Sequence, residues 1–376
     1  MNRITDHLNT LKEHGNYRSL RDDMTHSGLT DLASNDYLGL AGNENLRNRF
    51  FSFLEGTDAS LASSASRLLS LHQQPYSDLE QYLGKLYNGR HALLFNSGYH
   101  ANSGIIPAIY NKDTLIVCDR LVHASIIDGI ILSRAKFIRF KHNDLEDLQR
   151  IIESNRTRHE DILVITESVF SMDGDICDLP RLVELKKAYP EVRLYVDEAH
   201  GFGVFGKQGL GICEQYGLID DIDVIIGTLG KAAASIGAFA ITDYDVKELL
   251  VNTARSFIFS TMLPPFNCQW SQFAIKHIIG MEAERKHLLD ISHTLNDFFL
   301  SAGFETNSRS QIVPLIVRSA EKTTALSQEL LNLGYIALPI RTPTVPAGTE
   351  RIRFSLNSSL SNTTIDKLID TLKRLL

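Results

Sequence analysis

The feature that most limits the fold of this chain is a series of short, unbroken apolar runs between residues 92 and 242. They fall at 92–95, 114–118, 137–140, 162–166, 193–196, 224–227 and 238–242. Each is four or five residues long, and none alternates apolar with polar residues. Runs of this kind are expected of strands covered on both faces. Stretches long enough for a helix separate most of them, which is the rhythm of a parallel sheet with crossover helices. The middle of the chain therefore reads as α/β, with a mainly parallel, seven-stranded sheet.

After about residue 265 the pattern changes. A long amphipathic stretch runs to about Ser301, followed by strand-like segments at 312–317, 336–340 and 352–356, a helix among them and a closing helix. We read three parts: an N-terminal segment at 1–45 packing on the small domain, a large domain at 46–265 and a small C-terminal α/β domain at 266–376. A length of 376 residues suits two domains.

Charge and composition exclude several classes. Hydrophobic residues at 43% and charged residues at 22% describe a globular chain with a sizeable core. A net charge of -7 argues against affinity for nucleic acid phosphates. No apolar run approaches the roughly 20 residues a membrane helix needs, and the polar start reads as neither signal nor transit peptide. Cys118, Cys177, Cys213 and Cys268 are scattered without paired spacing, which reads as a reducing, cytoplasmic setting. No nucleic acid, membrane or metal partner is expected.

In open parallel sheets ligands sit at the carboxyl ends of strands. Five apolar runs are followed by segments rich in reactive or small residues, at 96–99, 119–125, 167–175, 197–200 and 228–231. Ser97, Gly98 and Tyr99 join a strand to the start of a helix, where main-chain N–H groups and the helix dipole favour an anion; an ordinary serine cap is the alternative. Asp197 ends a run, so its carboxylate needs a cationic partner. A protonated pyridine nitrogen would serve, and a helix-capping role is the alternative. His200 could donate to a phenolate oxygen or be a hydrogen-bonded core histidine. Lys231 ends an apolar, glycine-bearing segment and precedes three alanines. That setting desolvates the amine, as a nucleophilic lysine requires, and Thr228 could add a hydroxyl beside it. His123 could stack on a planar ring or simply cap a helix. Arg353 could receive a carboxylate in bidentate fashion or face solvent from its strand.

Taken in order, the runs SNDYLGL at 34–40, SRL at 66–68, SGY at 97–99, HAS at 123–125, ESVFSMDGD at 167–175, DEAHG at 197–201, GTLGKA at 227–232, FST at 259–261 and RIR at 351–353 resemble the α-oxoamine synthase family of pyridoxal-phosphate enzymes. The resemblance covers about residues 30 to 360. It implies the fold-type-I architecture of aspartate aminotransferase, a large domain built on the parallel sheet plus a small C-terminal domain, and pyridoxal 5'-phosphate as cofactor. It makes Lys231 the lysine that joins the cofactor as a Schiff base, Asp197 the partner of the ring nitrogen, and His123 the residue stacked on the ring. His200 and Ser171 would bond the phenolic oxygen. Ser97, Gly98, Tyr99 and Thr228 would hold the phosphate, with Thr261 reaching the phosphate of a neighbouring subunit in a homodimer. Asn35 and Arg353 would hold the carboxylate of the amino acid.

The run PTVPAGT at 343–349 looks most like the biotin-pathway branch of this family. That likeness implies decarboxylative condensation of L-alanine with a pimeloyl thioester, carried on coenzyme A or acyl carrier protein. The alternatives are glycine with acetyl-CoA, another amino acid with a long-chain acyl-CoA, a simple aminotransferase or aldolase, and a non-catalytic subunit of the same fold. Retention of Lys231 counts against the last. The chain departs from the family pattern at 60–65, where the usual glycines are replaced, and at Leu71, Leu360 and Ala233-Ala234. These departures bear on the acyl group and leave Lys231, Asp197 and His123 untouched.

Overall fold

The computed structural model describes residues 2–13, 17, 28–57, 60–71 and 73–376. Part of the expected 1–45 segment thus lies outside the described residues. The chain divides into two compact units, one of Asp36–Ser171 and Ile176–Lys286, the other of Met1–Asn35, Met172–Asp175 and His287–Leu376. No described helix is long and apolar enough to cross a membrane.

The larger unit is built on strands β1 (His91–Phe95), β2 (Leu115–Asp119), β3 (Lys136–Phe140), β4 (Ile162–Glu167), β5 (Val192–Asp197), β6 (Val224–Thr228) and β7 (Ala238–Thr242). All seven apolar runs are strands, each bound lying within one residue of expectation. They form one sheet in the order β1-β7-β6-β5-β4-β2-β3. Pairs from β6 through β3 are parallel, and β7 runs antiparallel to both β6 and β1. Every residue of β2, β4, β6 and β7 is buried, which is why these runs carry no polar alternation. The edge strand β3 is the exception. Lys136 and Arg139 stand exposed on it, charges that discourage pairing with another sheet.

The domain boundary expected at 265 falls instead between Lys286 and His287. Helix Pro265–Ile279 belongs with the larger unit because it packs on helix Gln74–Leu86. Phe266 and Trp270 meet Phe50 edge-on at 5.4 and 5.0 Å, and Gln272 Nε2 donates to the Asp78 carbonyl at 3.1 Å. At the other end, residues 36–45 also side with the larger unit, where Tyr37, Leu38 and Leu40 are buried. The amphipathic stretch to Ser301 is two helices, Pro265–Ile279 and Glu282–Ser301, separated at Gly280.

In the smaller unit, Leu338–Ile340, Arg351–Ser355 and Ile312–Ile316 form an antiparallel sheet in that order. The single strand expected at 336–340 is divided. Tyr335–Ile336 pairs in parallel with Thr30–Asp31, whereas Leu338–Ile340 pairs with the Arg351 strand. Ala337, between them, gives its carbonyl to Ser327 Oγ at 2.6 Å. Pro339 has no N–H to give a ladder, and it stands on the edge strand. Ile312, Val313, Leu315, Phe299, Ile352 and Phe354 are fully buried as the core of this unit.

Gly174 holds the 172–175 turn against this core. Its φ is +69°, and a Cβ there would lie 1.9 Å from the Ile312 carbonyl oxygen and 2.7 Å from Ser308 Oγ. Both the left-handed backbone and the contact exclude a side chain. Gly174→Ala is expected to lower stability by about 3 kcal/mol, measured by denaturant unfolding. A loss under about 1 kcal/mol would show that the turn relaxes freely.

Candidate active site

Strands β1 to β6 all point the same way, so the segments after β1, β2, β4, β5 and β6 leave the sheet at one edge. Hydrogen bonds tie all five of these segments to one another. Lys231, after β6, places Nζ 2.8 Å from His200 Nε2, after β5. The other ring nitrogen of His200 lies 2.5 Å from Tyr37 Oη, so both sides of a buried imidazole are held. Asp197 ends β5 and is only 5% exposed. Its Oδ1 accepts from the Ala199 N–H at 2.9 Å and its Oδ2 from Asn102 Nδ2 at 2.8 Å. Asn102 also donates to Ser125 Oγ at 3.0 Å, and Ser125 contacts His123 Nδ1 at 2.8 Å.

The electrostatics follow from burial. His123 is held below the ordinary histidine pKa, first by burial and also by the nearby Lys231 charge, against the opposing pull of Asp197 and Asp128. Glu167 stands opposite Asp197 in the ladder between β4 and β5. Burial, reinforced by the Asp197 charge, pushes its carboxyl well above the usual carboxylate range. Glu167 accepts the His123 main-chain N–H at 2.5 Å. Glu198 follows Asp197 but serves the core. It is fully buried, with its pKa raised by burial, and it accepts from Ser168 Oγ and from the Cys213 N–H at 2.7 Å. A Cβ at Gly201 would lie 2.0 Å from Glu198 Oε2 and 2.8 Å from Ser168 Oγ, so a side chain there would displace this hydrogen-bonded pair.

Helix Gly98–Ile109 starts directly after β1, capped by Ser97 Oγ, which accepts from the His100 N–H at 3.2 Å. The N–H groups of Gly98 and Tyr99 open the helix, where no intrahelical acceptor exists. A Cβ on Gly98 would still lie 4.0 Å from Thr228 Oγ1, the nearest atom, so backbone donors and a hydroxyl border an open cradle. The Tyr99 side chain does not share in it: the ring is half-exposed and its hydroxyl donates to Asp128. Ser171 is half-buried in the larger unit beyond β4. Thr261 is exposed, bridges Ser66 through its backbone, and accepts from Asn96 Nδ2 at 2.6 Å through its carbonyl.

Asn35 and Arg353 come together in the smaller unit, where Arg353 Nη2 donates to Asn35 Oδ1 at 3.2 Å. Neither strand arginine faces solvent: Arg351 is 5% and Arg353 is 8% exposed. Arg351 forms an ion pair with Asp173, while Arg353 meets a neutral amide.

Sequence reasoning missed Tyr37, Asn102 and Glu167 as parts of the site. Tyr37 lay inside a quoted run but carried no role. Asn102 had a signal, a polar residue among Ala101, Ile105 and Ile106 on the buried face of its helix.

An amine beside an imidazole, a buried carboxylate, and a helix N-terminus bordered by a hydroxyl suit the aldehyde, the ring nitrogen and the phosphate of pyridoxal phosphate. The donor set therefore fits the group. Residues 27–372 match the family model for aminotransferase class I and II. A Pasteurella multocida protein named "Putative 8-amino-7-oxononanoate synthase" is 48% identical over 94% of this chain and 91% of its own length. A Neisseria meningitidis protein of the same name is 46% identical over 94% and 95%. Among solved structures, Sphingomonas wittichii serine palmitoyltransferase superposes with a TM-score of 0.88 at 28% identity, covering 99% of this chain and 96% of that one. The 8-amino-7-oxononanoate synthase of Francisella tularensis gives a TM-score of 0.78 at 28% identity, covering 93% and 99%. The chain belongs to the class I and II aminotransferase family, in its α-oxoamine synthase branch, and is a pyridoxal-phosphate-dependent acyltransferase of fold type I.

Proposed function

We propose that this enzyme condenses L-alanine with a pimeloyl thioester, releasing carbon dioxide and the thiol carrier to give 8-amino-7-oxononanoate. The reading is carried by the junction of Lys231, His200, Asp197 and His123 at one sheet edge. Its choice of substrates is supported by relatives of that name at 45 to 48% identity.

Pyridoxal phosphate, when bound, supplies an aldehyde carbon that amines can join and a protonated ring that stabilises negative charge on the attached carbon. Asp197 would keep the ring nitrogen protonated. Gly98 and Tyr99 offer main-chain N–H groups to the phosphate, with the Ser97 and Thr228 hydroxyls beside them. His200 and Ser171 would bond the phenolic oxygen. Lys231 would hold the cofactor at rest, and its amine, 2.8 Å from His200 Nε2, would take the Cα proton of alanine and later return one to the same carbon. Asn35 and Arg353 hold the alanine carboxylate until it leaves as carbon dioxide. His123 would face the ring and would donate to the acyl carbonyl as the new carbon–carbon bond forms and the carbon–sulfur bond breaks.

A homodimer belongs to this reading, with Thr261 serving the phosphate of the neighbouring subunit. Leu69, Leu71 and Phe259 are 77, 95 and 72% exposed near the Ser66–Thr261 bridge, an apolar surface suited to a second copy. The four cysteines are free and buried, which supports a reducing, cytoplasmic setting. The likeness to serine palmitoyltransferase favours a second reading, a different amino acid with a longer acyl-CoA. Thiol release from pimeloyl-CoA with L-alanine, compared with palmitoyl-CoA and L-serine, separates the two. Turnover with the second pair alone would overturn the first.

Lys231→Ala is expected to lose the visible absorbance of the bound cofactor and all condensation, with an unfolding midpoint close to wild type. Borohydride should no longer fix the cofactor to the chain; covalent capture in this variant would show that another amine holds it. Arg353→Ala should weaken alanine binding by about 2 to 4 kcal/mol, read from an absorbance titration. An unchanged affinity would put the carboxylate elsewhere.

A further inference from the structure

Between the Asp197 carboxylate and the His123 imidazole runs a hydrogen-bond path through one buried side chain, Asn102. One end of the Asn102 amide faces the Asp197 carboxylate, which only accepts, and this fixes that end as the nitrogen; Tyr195 Oη donates to Oδ1 at the other end at 2.6 Å. Nδ2 then donates both to Asp197 Oδ2 at 2.8 Å and to Ser125 Oγ at 3.0 Å. The Ser125 main-chain N–H lies 3.2 Å from His123 Nδ1 and can only donate, so that nitrogen carries a lone pair. Ser125 Oγ, 2.8 Å from the same nitrogen, must therefore donate as well. The ring proton is left on Nε2. Asn102, Ser125 and Tyr195 are each no more than 1% exposed, so water does not substitute for these partners.

We propose that Asn102 is a positioning residue: its amide ties Asp197 to the Ser125 hydroxyl and so holds His123 as the neutral tautomer with the proton on Nε2. This deepens the proposed function and rests on it for its purpose, since a thioester carbonyl gaining negative charge requires a donor and a neutral Nε2–H is one. A base at the same place would be of no use to that step. The path also makes one unit of the two groups that would contact the cofactor ring, the carboxylate at its nitrogen and the imidazole on its face.

Several charged groups bear on the imidazole besides the path. Asp197 at the end of β5 and Asp128 on helix Ala124–Ser133 favour a second proton, while burial and Lys231 oppose it, with a net lowering. Glu167 at the end of β4 takes the His123 main-chain N–H. Two donors on Nδ1 add to the opposition, because hydrogen bonds made to the neutral form disfavour the charged one.

The test is nuclear magnetic resonance of cofactor-free protein labelled with 15N-histidine, titrated with acid, with His123→Gln used for assignment. Wild-type His123 should show the proton on Nε2 and a midpoint below about 6.5. Ser125→Ala should move that midpoint up by about half a unit, and Ser125→Thr should keep it near wild type. Asn102→Ala should move it in the same direction, and by less than half as much when the hydroxyl is already gone. A proton on Nδ1 in the wild type overturns the proposal. So do unchanged midpoints in both variants, or shifts that add in full. If Asn102→Ala fails to fold, the contrast of Ser125→Ala with Ser125→Thr decides. No turnover is measured, so these results stand apart from the substrate. Loss of the condensation with the tautomer intact would count against the proposed reaction and leave the relay standing.

Discussion

Taking an anion out of water at the end of a central strand costs several kcal/mol unless the surroundings replace its hydration, and Asp197 sits under that constraint at 5% exposure. Its two oxygens accept from the Ala199 N–H and the Asn102 amide. Much of the local sequence follows from this need. Glu167, its ladder neighbour, is driven toward the neutral acid because two adjacent buried carboxylates cannot both be charged cheaply. Glu198, next along the chain, is turned into the core, where Ser168 and the Cys213 N–H hold it and Gly201 gives it room. The cationic ring nitrogen proposed to face Asp197 would complete the set of compensations.

The departures from the family pattern have a common structural face. Ser64, inside the stretch that lacks the usual glycines, has φ +50°, and Ala234, where a glycine is usual, has φ +47°. Both residues occupy left-handed backbone that glycine adopts without strain and that other residues enter at a cost of about 1 to 2 kcal/mol. At both positions this chain holds left-handed backbone with a residue that does not adopt it freely. Ala234 is held there by main-chain bonding to Lys231 and by Trp270, whose indole donates to its carbonyl at 2.9 Å. The turn after the reactive lysine is therefore stiffer than a glycine would make it. Leu71 replaces another expected glycine and is 95% exposed, on the surface that the proposed homodimer would cover.

Legibility in the sequence followed the range of the forces involved. The seven strands could be read because a doubly covered strand needs an unbroken apolar run, a local property. Lys231, Asp197, His123 and His200 could be located because each follows such a run, at the edge where open parallel sheets bind ligands. The domain boundary was misplaced because Pro265–Ile279 is amphipathic wherever it packs; its partner, helix Gln74–Leu86, lies nearly 200 residues earlier. The strand at 336–340 was drawn whole because its pairing with both Thr30–Asp31 and Arg351–Arg353 is long-range.

By itself, then, the sequence determined the α/β class, the parallel sheet, the order of the motifs and the cofactor they serve. The class and the sheet rest on periodicity, whereas the cofactor rests on the resemblance of the ordered motifs to a known family. Only the tertiary structure decided which partners the reactive groups keep. Tyr37 meets His200 across 163 residues, and Asn102 meets Asp197 across 95. The proton on His123 is directed by a serine two residues away, itself held by an amide from another helix. Hydrogen bonds between buried groups depend on placement to within tenths of an ångström. No pattern along the chain carries that information, because it is the packing of the whole unit that sets it.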